Sequence, residues 1–216
     1  RRQPVDGVHQ PGVGPEDELA NTTANIHAAC IMQNYYSPEL CIGPTEPSSK
    51  VVMKDDHDWK LYRPDCHVYW DESFKADLQT ESNVSYASTP VAGTRKPKQW
   101  RASMDPNWAV IGNRGVRNGS TRPEVYNNSI TLQIHGDPDT WEGYICFNDN
   151  HVEYLNTFTP SAQFCRDATG GWKADNIFRN DQAAVHSTGG SDTWLAITLS
   201  LSGTADEATG LCNSWD

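Results

Sequence analysis

Apolar and polar positions change their period part-way along the chain. Leu19, Thr23, Ile26, Cys30 and Gln33 recur at steps of three and four, the spacing that places side chains on one face of a helix. Pro15 suits a first helical turn, and Glu16, Asp17 and Glu18 complement the positive N-terminal end. One helix is therefore expected over residues 16–34. Tyr35-Tyr36-Ser37-Pro38 ends it, because the ring of Pro38 disfavours helical geometry at Ser37 and Pro38 lacks an amide hydrogen. A loop to about Ser49 follows.

Downstream the period falls to two. Val68 and Trp70 alternate with His67 and Tyr69, and Ile130, Leu132 and Ile134 alternate with Thr131 and Gln133. Leu195, Ile197, Leu199 and Leu201 would share one strand face, with Trp194, Ala196, Thr198 and Ser200 on the other. The segments 143–148 and 151–155 flank Asp149-Asn150, which predicts a hairpin on a two-residue primed turn; such a turn needs positive φ, which Asn and Asp tolerate best after glycine. Stretches rich in Pro, Gly, Asn and Asp, at Ala92 to Arg101 and Arg166 to Gly171, read as surface loops. The expected class is α+β: an N-terminal helix packed on an antiparallel sheet with long loops. Residues 1–15, with three Pro and three Gly, are expected to form an extended arm or linker, and residues 16–216 one globular domain.

Charge narrows the partners. Twenty-eight Asp and Glu oppose 17 Lys and Arg, and the net charge of −11 repels phosphates, so nucleic acid and anionic membranes are not expected as partners. Only 37% of residues are apolar, and no run approaches the roughly 18 to 20 apolar residues of a membrane span. The sequence begins Arg1-Arg2-Gln3-Pro4 with no apolar segment behind it, so the expectation is that a targeting segment has been removed. Cys30, Cys41, Cys66, Cys146, Cys165 and Cys212 include no Cys-x-x-Cys pair, which favours an exported chain with possible disulfides whose pairing the spacing does not choose. Sequons at Asn21, Asn83, Asn118 and Asn127 permit N-glycosylation, and the expected location is extracellular or at the cell surface.

Candidate chemistry is sparse. His135-Gly136-Asp137 and Asp149-Asn150-His151 share residue types with metallophosphoesterase elements, but their order is wrong and no Gly-His-x-His accompanies them. Asp137, Asp139, Asp149 and Asp192 are candidate ligands for Ca²⁺, a hard cation that accepts oxygen ligands from loops. There is no Gly-x-Ser-x-Gly elbow and no cysteine in a catalytic signature, so a non-enzymatic role is expected. Trp100, Trp108, Trp141, Trp172 and Trp194 lie among Gly- and Asp-rich segments, where rings can stack on sugars; the alternative role is a secreted carbohydrate-binding module using these loop aromatics.

Five segments occur in a suggestive order. Asn21-Thr-Thr-Ala-Asn-Ile-His27 leads into Tyr35-Tyr-Ser-Pro-Glu-Leu-Cys-Ile-Gly-Pro44; then come Asn83-Val-Ser-Tyr-Ala87, Trp108-Ala-Val-Ile-Gly-Asn-Arg-Gly115 and Tyr144-Ile-Cys-Phe-Asn-Asp-Asn-His-Val-Glu-Tyr154. Over residues 19–158 this order resembles the prepilin-like proteins of planctomycetes and related bacteria, whose C-terminal signature joins an upstream His to a Phe-x-Asp-Gly-His-Val hairpin. Asn150 stands where that signature has Gly, and His135 lies 14 positions before Asp149, a longer spacing than the family's. The resemblance implies a type IV pilin or type II secretion pseudopilin headpiece that self-associates or assembles with related subunits into a filament or surface structure. It also lends weight to Ca²⁺, which some pseudopilin headpieces hold in a C-terminal loop. The apolar half of the family's helix does not appear in this sequence.

Overall fold

The computed structural model describes residues 2–5, 8–11, 20–66, 68–92, 95–102, 104–135, 139–161, 164–166, 171–180, 192–199 and 212–216. Within residues 1–15, β1 (Arg2–Val5) pairs antiparallel with β2 (Val8–Pro11).

Helix α1 spans Thr23–Met32. Thr22 caps it, its side chain accepting from the Asn25 amide at 3.2 Å. The C-terminal stop is set by Asn34 rather than Pro38. Asn34 adopts φ 61°, its amide donates to the Ile31 carbonyl at 2.8 Å, and the Tyr35 amide reaches back to Cys30 at 3.1 Å. This six-to-one closure satisfies the last carbonyls with a left-handed residue that asparagine tolerates. Residues 16–19, the predicted first turn, lie outside the described residues. Within the expected loop, Pro38 opens a 3-10 helix, Pro38–Cys41.

Next come the short strands β3 (Ala76–Asp77) and β4 (Glu81–Ser82), then β5 (Tyr86–Ser88), helix α2 (Arg95–Gln99), β6 (Ala109–Asn113), helix α3 (Pro123–Tyr126), β7 (Gly143–Phe147) and β8 (Val152–Leu155). Strands β5, β6, β7 and β8 form one antiparallel sheet in that spatial order. Three further antiparallel pairs are β3 with β4, β9 (Phe164–Arg166) with β10 (Trp172–Ala174), and β11 (Ile197–Leu199) with β12 (Cys212–Ser214). The architecture is thus mixed helix and antiparallel sheet. Among the described residues no helix is long and apolar enough to cross a membrane.

The buried side chains fall into two clusters. One gathers Trp141, Ile145, Phe147, Phe158, Phe178 and Leu195; the other gathers Ala28, Ile31, Trp70, Phe74, Leu78 and Ile197. Strand alternation divides β5 between them, with Ala87 in the first and Tyr86 against the second. Thr23 ties α1 to β11, its hydroxyl accepting from the Thr198 amide at 2.8 Å. Ser88 and Ala196 exchange both backbone hydrogen bonds, at 3.0 and 3.1 Å, and so bring the β11 segment beside β5.

Several strand expectations are corrected. Ile130–His135 is a 3-10 helix, because Thr131 turns inward to donate to the Asp216 carboxylate at 2.8 Å while Leu132 and Ile134 still find the core. Val68 makes only a bridge to Arg63. Trp194 to Thr198 is buried on both faces rather than one, and Ser200 and Leu201 lie outside the described residues. The Ala92–Arg101 loop contains α2, whose Arg95 is buried. Of the second expected loop, Arg166 ends β9 and 167–170 lie outside the described residues.

The hairpin of β7 and β8 is present, with Cys146 opposite Val152 and Tyr144 opposite Tyr154. Its connection has three residues, not two. The Asn150 amide closes a turn on the Phe147 carbonyl at 2.9 Å, and only Asn150 takes positive φ, 70°. This is a turn followed by a one-residue bulge, the second-commonest hairpin solution.

Candidate functional site

A groove of about 990 Å³ opens beside α3. One wall is the 3-10 turn Arg117–Gly119 running into Ser120–Arg122 and α3; the other is formed by Asn156–Thr159 and by Asn176, Arg179 and Asn180. Two residues in left-handed geometry shape the first wall, Asn118 at φ 52° and Gly119 at φ 56°. Glycine is required at 119 on two counts, since a Cβ there would fall 2.1 Å from the Asn176 Oδ1. Asn176 uses that space, donating from Nδ2 to the Gly119 carbonyl at 2.9 Å and accepting from the Phe178 amide at 3.1 Å, so a single amide clamps the two walls together.

The floor is aromatic and rigid. Trp141, 1% exposed, packs at 5.3 Å from Phe158 and 5.1 Å from Phe178 between ring centroids. Its indole Nε1 donates to the Arg114 carbonyl at 2.9 Å, and its amide donates to the Tyr126 hydroxyl at 2.7 Å. The Ile177 amide holds the Phe158 carbonyl at 2.9 Å, and the Leu195 amide holds Ile177 at 2.7 Å, which locks the second wall to the core.

The groove's electrostatics oppose those of the whole chain. Arg117, Arg122 and Arg179 line it and are exposed, and no Asp or Glu is among its described lining residues. Asn118, Asn156 and Thr157 add neutral donors and acceptors at the rim.

Neither a protein-family model, a curated protein nor a solved structure matches this chain.

The residues singled out in the sequence fall elsewhere. Asp139 is exposed, and Asp137 lies outside the described residues. Asp149 binds His151 on the hairpin, and that hydrogen bond from the imidazole holds its carboxyl below the usual range. Asp192 is buried against Arg95, whose guanidinium also donates to Asn180 at 2.8 Å and lies 5.0 Å over the Trp194 ring. Asp139, Asp149 and Asp192 are not brought together, and among the described residues no three His, Cys, Asp or Glu side chains are grouped to hold a metal. The His135 Nε2 donates to the Asn113 Oδ1 at 3.2 Å, and the ring meets those of Tyr144 and Tyr154 edge-on, a structural post on the sheet.

Cys30, Cys41, Cys66 and Cys146 are free thiols, so the disulfides thought possible from sequence do not join them; Cys165 is buried on β9, and the Cys212 side chain is outside the described residues. These four are distributed over α1, two 3-10 turns and β7. Cys41 lies 3.6 Å from His27 Nδ1, which also meets the Tyr36 hydroxyl at 2.8 Å. Burial pushes the Cys41 thiol up to about 12 and the His27 imidazole down to about 4, so the pair is neutral and not an activated thiolate.

The sequons divide. Asn83 is buried, accepting from the Lys75 amide and donating to the Val52 carbonyl, and Asn21 is spent on the Val91 carbonyl. Asn118 and Asn127 are exposed. Of the five loop tryptophans singled out from the eight in the sequence, Trp141 and Trp194 are buried, Trp108 is half-buried, and Trp100 and Trp172 are exposed. The groove escaped sequence reasoning because its lining comes from three separated segments, 117–126, 156–159 and 176–180, joined by the isolated Trp141 and Asn213, and none of these announces a site alone. The available signal was the run Arg117-Asn-Gly-Ser-Thr-Arg122, cationic and free of carboxylates in an acidic chain.

Proposed function

We propose that this chain is a non-enzymatic extracellular structural subunit, a pilin-like headpiece that assembles with copies of itself or with related subunits at the cell surface. The observation that carries the reading is the sheet order β5-β6-β7-β8 following α1 in the chain. The segments on which the resemblance rests fall on α1, the 3-10 helix Pro38–Cys41, β5, β6 and the β7–β8 hairpin in turn, and the last three of them coincide with a consecutive antiparallel meander.

The hairpin adds to this support. Asn150 takes the left-handed geometry that the family's glycine would supply, and His151 caps Asp149 while stacking on Phe147 at 4.5 Å. The deciding experiment is immunogold labelling of native cells with antibody to this chain, together with immunoblotting of sheared surface material. The expected result is gold along surface structures and recovery of the chain in the sheared fraction. Recovery confined to the cell interior as a monomer overturns the reading.

A further inference from the structure

We infer that the groove beside α3 is a binding site for an acidic oligosaccharide, one whose sugar rings carry carboxylate or sulfate groups. Charge comes first. In a chain of net charge −11, a concavity lined by Arg117, Arg122 and Arg179, with no carboxylate among its described lining residues, is a local inversion of sign. An anion is attracted there and repelled over much of the remaining surface, which confines it to one place. Guanidinium groups present fixed pairs of N–H donors that match carboxylate and sulfate oxygens two at a time.

The rest of the lining selects what bears the anion. Asn118, Asn156, Thr157 and Thr159 offer paired donors and acceptors, the complement of a polyhydroxylated ring. The buried aromatic residues present no open faces for base stacking, Trp141 and Phe158 being 1% and 5% exposed, and the apolar part of the lining that a ligand's C–H groups can reach comes from the half-buried Val125 and Tyr126. A volume of about 990 Å³ stands at the top of the range for drug-sized ligands, roughly 300–1,000 Å³, and suits an oligosaccharide better than an isolated phosphate or sulfate. A nucleic acid also carries anions, but its dense phosphates would meet repulsion from the rest of this acidic chain. The Asn176 clamp and the ring cluster hold both walls in place, which lowers the ordering cost of binding.

The test is calorimetric titration of the whole chain, made in a host without N-glycosylation and kept in chelator. Four probes are used: an oligogalacturonate, a sulfated heparin oligosaccharide, a neutral oligoglucose and a single-stranded oligonucleotide. The expected result is binding of one or both acidic sugars, weakened by added salt. Arg117→Ser and Arg122→Ser should each lower affinity about tenfold, the loss of one charge-assisted contact, while Arg101→Ser, outside the groove, leaves it unchanged. The two acidic arms decide between carboxylate and sulfate. The inference is overturned by equal binding of the neutral sugar, by wild-type affinity in both groove variants, by failure of both acidic sugars to bind, or by tighter binding of the oligonucleotide. None of these outcomes bears on surface assembly, which is tested separately.

Discussion

Arg114 and Asp216 stand 102 positions apart in the sequence, and the guanidinium of one donates to the carboxylate of the other at 3.0 Å. Glu46 binds the same guanidinium, and Thr131 donates to Asp216 at 2.8 Å, so a buried cation is held between two carboxylates with hydroxyl support. Removing the cation alone would strand two buried anions. Arg114→Met is expected to cost about 3–5 kcal/mol, as when one partner of a buried pair is removed. Urea denaturation measures it; a loss below about 1 kcal/mol, the surface-pair range, would show that the network is well solvated.

His27 predicts a specific pH dependence. Burial lowers its imidazole from 6.5 to about 4, so the unfolded chain takes up a proton in a range where the folded chain does not. Stability from this group is fully present above 6.5 and is lost as pH falls toward about 4, a decline of roughly 3 kcal/mol at 1.36 kcal/mol per unit. His27→Gln keeps a polar partner for Tyr36 and Cys41 and should flatten that part of the profile. Identical slopes in the two proteins between pH 6.5 and 4.5 would rule out His27 as the source.

A second acid-sensitive group lies below that window. Burial raises the Asp71 carboxyl, but the Ser73 hydroxyl and amide, the Asp58 amide and the Lys54 ammonium outweigh burial and hold it under its ordinary 3.8. Its contribution is present above 3.8 and fades as pH falls further. Asp71→Asn should therefore lose less stability between pH 4 and 2 than the wild type does, read from thermal midpoints across that range.

Asn150 offers a test of the hairpin. At φ 70° glycine relieves the left-handed strain and a β-branched residue aggravates it. Asn150→Gly should be neutral or slightly stabilising, whereas Asn150→Val should cost about 1–2 kcal/mol. Equal stability of the two variants would mean that the bulge relaxes to another turn.

Glycosylation should follow exposure rather than motif. When the chain is secreted from a eukaryotic host, sugar is expected at Asn118 and Asn127, and folded material should carry none at Asn83, whose amide is consumed in the core. Glycopeptide mapping reads all four sites at once. A sugar on Asn118 would also sit on the groove wall and reduce ligand binding.

Local chemistry was the legible part of this chain. The β7–β8 hairpin could be read because alternation and turn residues lie within a dozen positions, and α1 because its apolar spacing is helical. The stop at Asn34 was obscured by Pro38, a stronger local breaker that acts four residues too late. Ile130 to Ile134 alternates like a strand, yet Thr131 is claimed by Asp216, 85 positions away, and that distant carboxylate helps decide the geometry. The groove was least legible, because no single lining segment has a pattern of its own.

The reciprocal Ser88–Ala196 pairing has a consequence for how the molecule comes apart. Ala87 belongs to one buried cluster and Ile197 to the other, so the pair of amides between β5 and the β11 segment cannot open without disturbing both. Two cores joined in this way behave as one cooperative unit. The Ser88 and Ala196 amides should then exchange with deuterium only at the rate of global unfolding, and the molecule should melt in a single transition despite its divided interior.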